Sequence, residues 1–245
     1  MSARAYFDRA IAALQQVAET QSDALAAAAG LMVDAIVDGK ALYAFGATHS
    51  FMIAEELVYR TGGLMLVNPI YPQGMNLAVR PVPATSQLER LPGLGAALLA
   101  QVPIAAGDVV IVASTSGRNA VPIDLALTAR AAGARVIGIT ALDYTRRVSS
   151  RHAAGKKLID ACDVVIDNAA PYGDAAVAID GFPQPVGPLS SVTGCAIANA
   201  LVAETVARLV DRGYEPPVFM SANVDGGDAY NDRLMKANAH RIHYL

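Results

Sequence analysis

The sequence predicts an α/β fold: a parallel sheet covered by helices on both faces. Three observations carry that expectation. Val109-Val110-Ile111-Val112-Ala113 is apolar throughout and mostly β-branched, as a strand buried on both faces requires. Strand-like segments alternate with stretches of helical length, the signature of right-handed crossovers in a parallel sheet. A high alanine content with no Trp favours closely packed helices over an all-β design.

Along the chain, residues 3–37 place Phe7, Ile11, Leu14, Val17, Leu25, Leu31, Met32 and Ile36 at helical spacing, with a break into two helices expected at Gly30. A strand over 41–45 leads into the turn Gly46-Ala47-Thr48-His49-Ser50 and a helix through Arg60. A short strand over 64–67 precedes a Pro- and Gly-bearing loop, 68–83, of the kind that is often functional. The central strand 109–113 is followed by a helix over 121–132 with Gly133 where a C-terminal cap belongs. Strands over 135–139 and 163–167 flank a polar stretch that contains Ser149-Ser150-Arg151-His152. Residues 168–189 read as a loop or small ribbon, 190–212 as a helix, and 231–239 as a final helix after a turn cluster.

Composition narrows the function. The chain has 245 residues, 53% hydrophobic and 17% charged, enough for one sizeable core rather than two small ones. Residues 1–38 are expected to form a helical arm, and 39–245 the α/β body with its C-terminal helices. A formal charge of −3 without like-charge runs suggests neither a nucleic-acid nor a membrane partner. Apolar stretches broken by Asp, Arg or Gly, and an N-terminus without a basic-then-apolar pattern, lead us to expect a soluble cytoplasmic protein. Cys162 and Cys195 are too few for a disulfide framework, and no Cys-x-x-Cys or His-x-x-x-His pair is present to hold a metal.

The chemistry concentrates in two turns. In an open α/β sheet the ligand crevice lies beyond the carboxyl ends of the strands, where Gly46 to Ser50 and Ser114 to Asn119 both fall. Ser114-Thr115-Ser116-Gly117 directly before a helix suits a phosphate, because hydroxyls and free N–H groups donate and the helix N-terminus adds partial positive charge. Arg118 would add a full charge. Helix capping alone is the competing explanation, since Ser and Thr are common N-cap residues. A dinucleotide is disfavoured, because the first turn lacks Gly-x-Gly-x-x-Gly and the second strand ends in Val67-Asn68 without an acidic ribose ligand.

Three blocks resemble the SIS (sugar isomerase) superfamily of phosphosugar-binding domains. They are Ala113-Ser-Thr-Ser-Gly-Arg-Asn119 continuing to Thr140, Gly46-Ala-Thr-His-Ser50 with Ala54-Glu-Glu-Leu57, and Ser149-Ser-Arg-His152 with 163–167 and the tail 217–223. The last is similar to a little-characterised bacterial branch of sugar isomerase domain proteins. The resemblance covers nearly the whole chain as one SIS domain. It implies a flavodoxin-like five-stranded parallel sheet in a three-layer sandwich, no metal or organic cofactor, and a homodimer or homotetramer. By matching positions, Gly46 and Ser50 on the first turn and Ser114, Thr115, Ser116 and Asn119 on the second would serve a phosphorylated sugar. Members isomerise aldose and ketose phosphates, cleave a sugar–lactate ether, or only sense a sugar phosphate, so all three remain open here. The chain departs from the pattern in carrying Thr48 where relatives have a second glycine, and in having no His within 190–212, where the phosphoheptose isomerase branch has one.

Isomerisation through an enediol needs a base and an acid, typically Glu with His. Glu55 is the expected base, with Glu56 beside it as the alternative, since adjacent helix positions diverge by about 100°. His49, inside the first turn, is the expected acid, and His152 a second candidate. Glu204, among Val202, Ala203, Val206 and Leu209, is either paired with an Arg or directed into the site. Arg151 joins Arg118 as a possible phosphate counter-charge. Cys195 reads as a packing residue, and His240 and His243 are assigned no role.

Overall fold

The computed structural model describes residues 1–245. Two helices, α1 (Ser2–Thr20) and α2 (Ser22–Val37), precede the sheet. The break falls at Gln21, not at Gly30. Gln21 turns its side-chain oxygen to the N–H of Asp167 at 2.9 Å, a tertiary contact invisible to helical periodicity. Gly30 stays inside α2, where its bare Cα faces the Arg208 side chain.

Five strands form one parallel sheet: β1 (Leu42–Gly46), β2 (Val67–Pro69), β3 (Val109–Ala113), β4 (Arg135–Thr140) and β5 (Val164–Asp167). Their order is β2-β1-β3-β4-β5, the flavodoxin-like arrangement. Alternate residues feed two cores. Leu42, Ala44, Val109, Ile111, Ala113, Ile137 and Ile139 pack with α2, α3 (Phe51–Leu57) and a late helix, whereas Tyr43, Phe45, Val110, Val112 and Val136 pack on the opposite face. Each Val, Leu, Ile or Phe among them contributes about 1.5–3 kcal/mol by leaving water. β2 starts three residues later than the apolar run suggested. Leu64 to Leu66 are fully buried but pair with β1 nowhere, and Leu64 bridges instead to Val218. Pro69 is tolerated because β2 is an edge strand.

Helix α3 stops at Leu57 rather than Arg60, since Val58 is extended and Tyr59 left-handed at φ 46°. The short helices α4 (Pro83–Leu88) and α5 (Leu94–Leu99) lead to β3, and α6 (Ala120–Ala131) follows it. The polar stretch after β4 contains a helix the sequence reading missed, α7 (Leu142–Arg147). An antiparallel ribbon, β6 (Ala175–Val177) and β7 (Val186–Pro188), fills the segment read as loop or ribbon.

Helix α8 (Ser190–Asp211) is long and apolar enough to cross a bilayer by length and hydropathy, against the expectation that the longest apolar stretches are interrupted too soon to span one. Here its apolar face, with Ile197, Ala198, Leu201, Val202 and Leu209, packs on α2 and α3 within the core. Helix α9 (Gly227–Asn238) and the tail close the edge of the sheet. Asn68 donates to the carbonyls of Leu42 and Arg241 and accepts from His243 N–H. Arg241 donates to Ile36 O, Asn238 Oδ1 and the Tyr214 hydroxyl, stitching the ends of α2 and α9 together. His240 and His243 belong to this tail.

Candidate functional site

Because β1 and β3 are neighbours whose following helices lie on opposite faces, the turns after them open side by side. A cleft of about 370 Å³ lies there, walled by Thr48, His49 and Ser50 from the first turn and by Ser114, Thr115, Ser116 and Asn119 from the second. Glu89 from the end of α4, Tyr144 from α7, Gly173 and Asp174 before the ribbon, and Ser190 and Ser191 at the start of α8 complete it, together with Pro188. Its lining is almost wholly polar.

The second turn is built back to front. The carbonyls of Thr115, Ser116, Gly117 and Arg118 all accept hydrogen bonds from behind: from Ala141 N, Thr145 Oγ1, Leu158 N and Arg151 N respectively, at 2.8–3.1 Å. The N–H groups of Thr115 through Ala120 donate to no atom of the protein. The hydroxyls of Ser50, Ser114, Thr115 and Ser116 are likewise unspent. Successive amides freed at the N-terminus of a helix form a concave donor set suited to a tetrahedral oxyanion. Gly117 makes this possible: at φ 59° a Cβ there would lie 3.0 Å from Thr145 Oγ1 and 3.1 Å from Thr140 Oγ1.

The first turn uses its glycine differently. A Cβ on Gly46 would collide with the backbone of Ser50, so Gly46 lets the turn fold over the strand end and does not wall the cleft itself. Thr48 stands left-handed at φ 55°, a strained conformation for a β-branched residue, and its N–H is held by Met75 O at 2.8 Å. Where a second glycine was expected, Thr48 thus takes up the left-handed conformation itself. His49 projects into the cleft with no partner in the protein.

Glu89 was not found by sequence reasoning. It ends a six-residue helix, and the tie from Val121 N to Glu89 O, 3.1 Å, with Gly93 N donating to Asp124 and α5 packed on α6, brings it to the start of α6. Burial pushes its carboxyl above the usual range, opposed by a hydrogen bond from Asn119 and by the charges of Arg90 and Arg151. At the other end of the cleft, Asp174 accepts from Leu189 N, Ser190 N and Ser190 Oγ at 2.6–3.0 Å. No cluster of three or more His, Cys, Asp or Glu side chains offers a metal site.

Residues 5–141 match the SIS-domain family model, a span that runs from α1 past both cleft turns. The chain belongs to the SIS-domain family. Curated relatives of this SIS domain include a UPF0309 protein of Shouchella clausii, 44% identical over 98% of each chain, and one of Streptomyces coelicolor, 42% identical over 98% of this chain and 96% of the other. Among solved structures it is similar to the phosphoheptose isomerase of Neisseria gonorrhoeae, with TM-score 0.55 and 19% identity over 84% of this chain and 97% of that one. A phosphoheptose isomerase from Francisella tularensis gives TM-score 0.54 and 18% identity over 83% and 96%. At these identities the likeness establishes the fold.

Several predicted site residues of the SIS domain lie outside the cleft. Glu55 faces an adjoining groove with Phe51, Met52 and Tyr71, joined to the cleft only through Thr48. Glu56 turns to α8, where its carboxylate accepts from Asn199 at 2.7 Å and pairs with Arg60. Glu204 pairs with Arg208 one turn on, at 2.7 Å. His152 lies half-buried behind the second turn: Ala154 N–H occupies its Nδ1, so Nε2–H donates to Asp124 at 2.9 Å. Arg118 folds back onto the carbonyl and hydroxyl of Ser149 and does not wall the cleft. Burial raises the thiol of Cys195, with help from the Glu56 charge, which suits a packing residue.

Proposed function

We propose that the cleft binds the phosphate of a phosphorylated sugar and that the protein is a sugar-phosphate isomerase. The observation that carries the binding is the fan of free N–H groups from Thr115 to Ala120, flanked by four unspent hydroxyls. Such donors are aimed at charge without any reorganisation on binding. The family and the phosphoheptose isomerase fold support a sugar as the body of the ligand.

The reaction needs one base beside the carbon to be deprotonated. Glu89 is the one carboxylate of the cleft not already capping a helix, and its raised affinity for a proton matches a general base. In the proposed step Glu89 takes the proton from C2 of the open-chain aldose and returns it to C1 of the enediol. His49 moves a proton between O1 and O2, so the net change is the aldose–ketose shift alone. Glu89 here replaces Glu55, whose side chain lies in the adjoining groove.

The test is incubation with hexose, heptose and N-acetylhexosamine phosphates in heavy water, following the proton next to the carbonyl by NMR. Solvent exchange on one of them is the expected result, lost by about 100-fold or more in Glu89→Gln. Tight binding without exchange would leave a sugar-phosphate binding protein and overturn the isomerase.

A further inference from the structure

Asn119 occupies the N-cap position of α6, yet its side chain caps nothing. Its Oδ1 instead accepts from Arg151 Nη1 at 3.0 Å. A side-chain amide whose oxygen is held by a guanidinium must present its NH2 in the opposite direction, and Glu89, whose carboxyl the Asn119 amide holds down, is its neighbour in the cleft wall. Arg151 is anchored in turn, since its own N–H donates to Arg118 O at 2.8 Å, the last of the carbonyls tied behind the phosphate turn. Glu89 is anchored through its backbone to Val121 at 3.1 Å.

We infer that Arg151 is a positioning residue for Glu89, acting through Asn119: it fixes the amide so that its NH2 donates to the carboxylate and holds that carboxylate over the cleft. This rests on the reading of Glu89 as the base. A free asparagine amide has two orientations of similar energy, and only one donates to a carboxylate. The guanidinium removes the other, because it has five donors and no acceptor. The chain Arg151–Asn119–Glu89 also links the wall beside the second turn to the carboxylate of the cleft, since Asn119 and Glu89 both line it.

Other charges face this chain and enter its test. Arg90, next to Glu89, acts on both Glu89 and Arg151 through space, and Arg118 and Tyr144 act on Arg151. His49 shares the cleft. Arg151 itself is held below its usual range by desolvation and then by the like charges of Arg118 and Arg90, while Glu89 and Tyr144 oppose that. Arg90 therefore shares the electrostatic effect, but Arg151 is the one bonded to Asn119.

The experiment uses the full chain with 13C-labelled glutamate and 15N-labelled asparagine. The Glu89 carboxyl signal is assigned by its loss in Glu89→Gln and titrated in wild type, Arg151→Gln, Arg151→Lys and Arg90→Gln. Loss of a nearby cation and of an ordered donor both favour the protonated carboxyl. In Arg151→Gln the Glu89 midpoint is expected to rise by about one pH unit and the Asn119 NH2 resonances to move. Arg151→Lys should restore part of the charge effect and not the Asn119 shift. Arg90→Gln should raise the midpoint while leaving the Asn119 resonances in place. An Arg151→Gln protein with the wild-type Glu89 midpoint, or with unmoved Asn119 resonances, overturns the inference. Failure of the isomerase reading shows separately, as absence of solvent exchange in wild type, and does not alter the titration.

Discussion

Two helix N-termini meet at the cleft, and they are finished in opposite ways. Both begin with serines or follow them, and both direct partial positive charge at the same space. At α6 the preceding carbonyls are all engaged from behind and the amides are left free. At α8 the carboxylate of Asp174 takes two amides and the Ser190 hydroxyl, so the positive end is already neutralised. Asp174 holds this position left-handed at φ 68°. The cleft is therefore polarised, with free amides at one helix start and a filled carboxylate cap at the other. A Ser-rich helix start is no ligand site by composition. What decides is whether the protein has already supplied the acceptor.

The largest expected effect breaks the open end. Ser114→Ala with Ser116→Ala removes two donors to a charged group, each contributing about 1.5–3 kcal/mol, so sugar-phosphate affinity by calorimetry should fall by about 100-fold or more. Ser190→Ala with Ser191→Ala at the capped end should change it by less than about threefold, and equal losses would erase the contrast between the two helices. Gly117→Ala tests the geometry of the open end. The left-handed φ and the crowding by Thr140 and Thr145 should cost about 1–3 kcal/mol in denaturant unfolding, with loss of binding.

Asp174→Asn weakens the capped end. It should destabilise the fold by about 1 kcal/mol, since a charged cap becomes a neutral one, and leave phosphate affinity equal or slightly improved. The smallest effect is on Glu89. Its folded carboxyl is raised above the unfolded value, so its ionisation opposes folding only once the pH climbs through the unfolded value toward the folded one. Below the unfolded value both states are protonated and the penalty vanishes. Glu89→Gln should therefore raise Tm by about 2 °C near pH 8 and leave it unchanged near pH 4.

The strands show where sequence reasoning works and where it stops. β3 was legible because five consecutive apolar residues allow no other burial, and the turn after it because Ser-Thr-Ser-Gly before a helix has a specific physical use. β2 was misplaced because Leu64 to Val67 are all fully buried, and burial alone does not say which of them pair. The break after α1 was misplaced because a contact from Gln21 to Asp167, far along the chain, outweighs the weak local preference of Gly30.

The same division runs through the site. The two turns, Gly46 to Ser50 and Ser114 to Asn119, were set by the sequence itself, because a glycine at a left-handed or crowded position and hydroxyls at a strand end are local requirements. Which carboxylate faces them was decided only in three dimensions. Glu55 and Glu56 differ by one helix position and point to different neighbours, neither of them the cleft, while Glu89 arrives from a short helix whose end is held on α6 by the bond to Val121 and by the packing of α5. The donors of the phosphate seat are a property of adjacent residues. The carboxylate that shares the cleft with them depends on how distant segments pack, and side-chain direction is set by that packing and not by residue type.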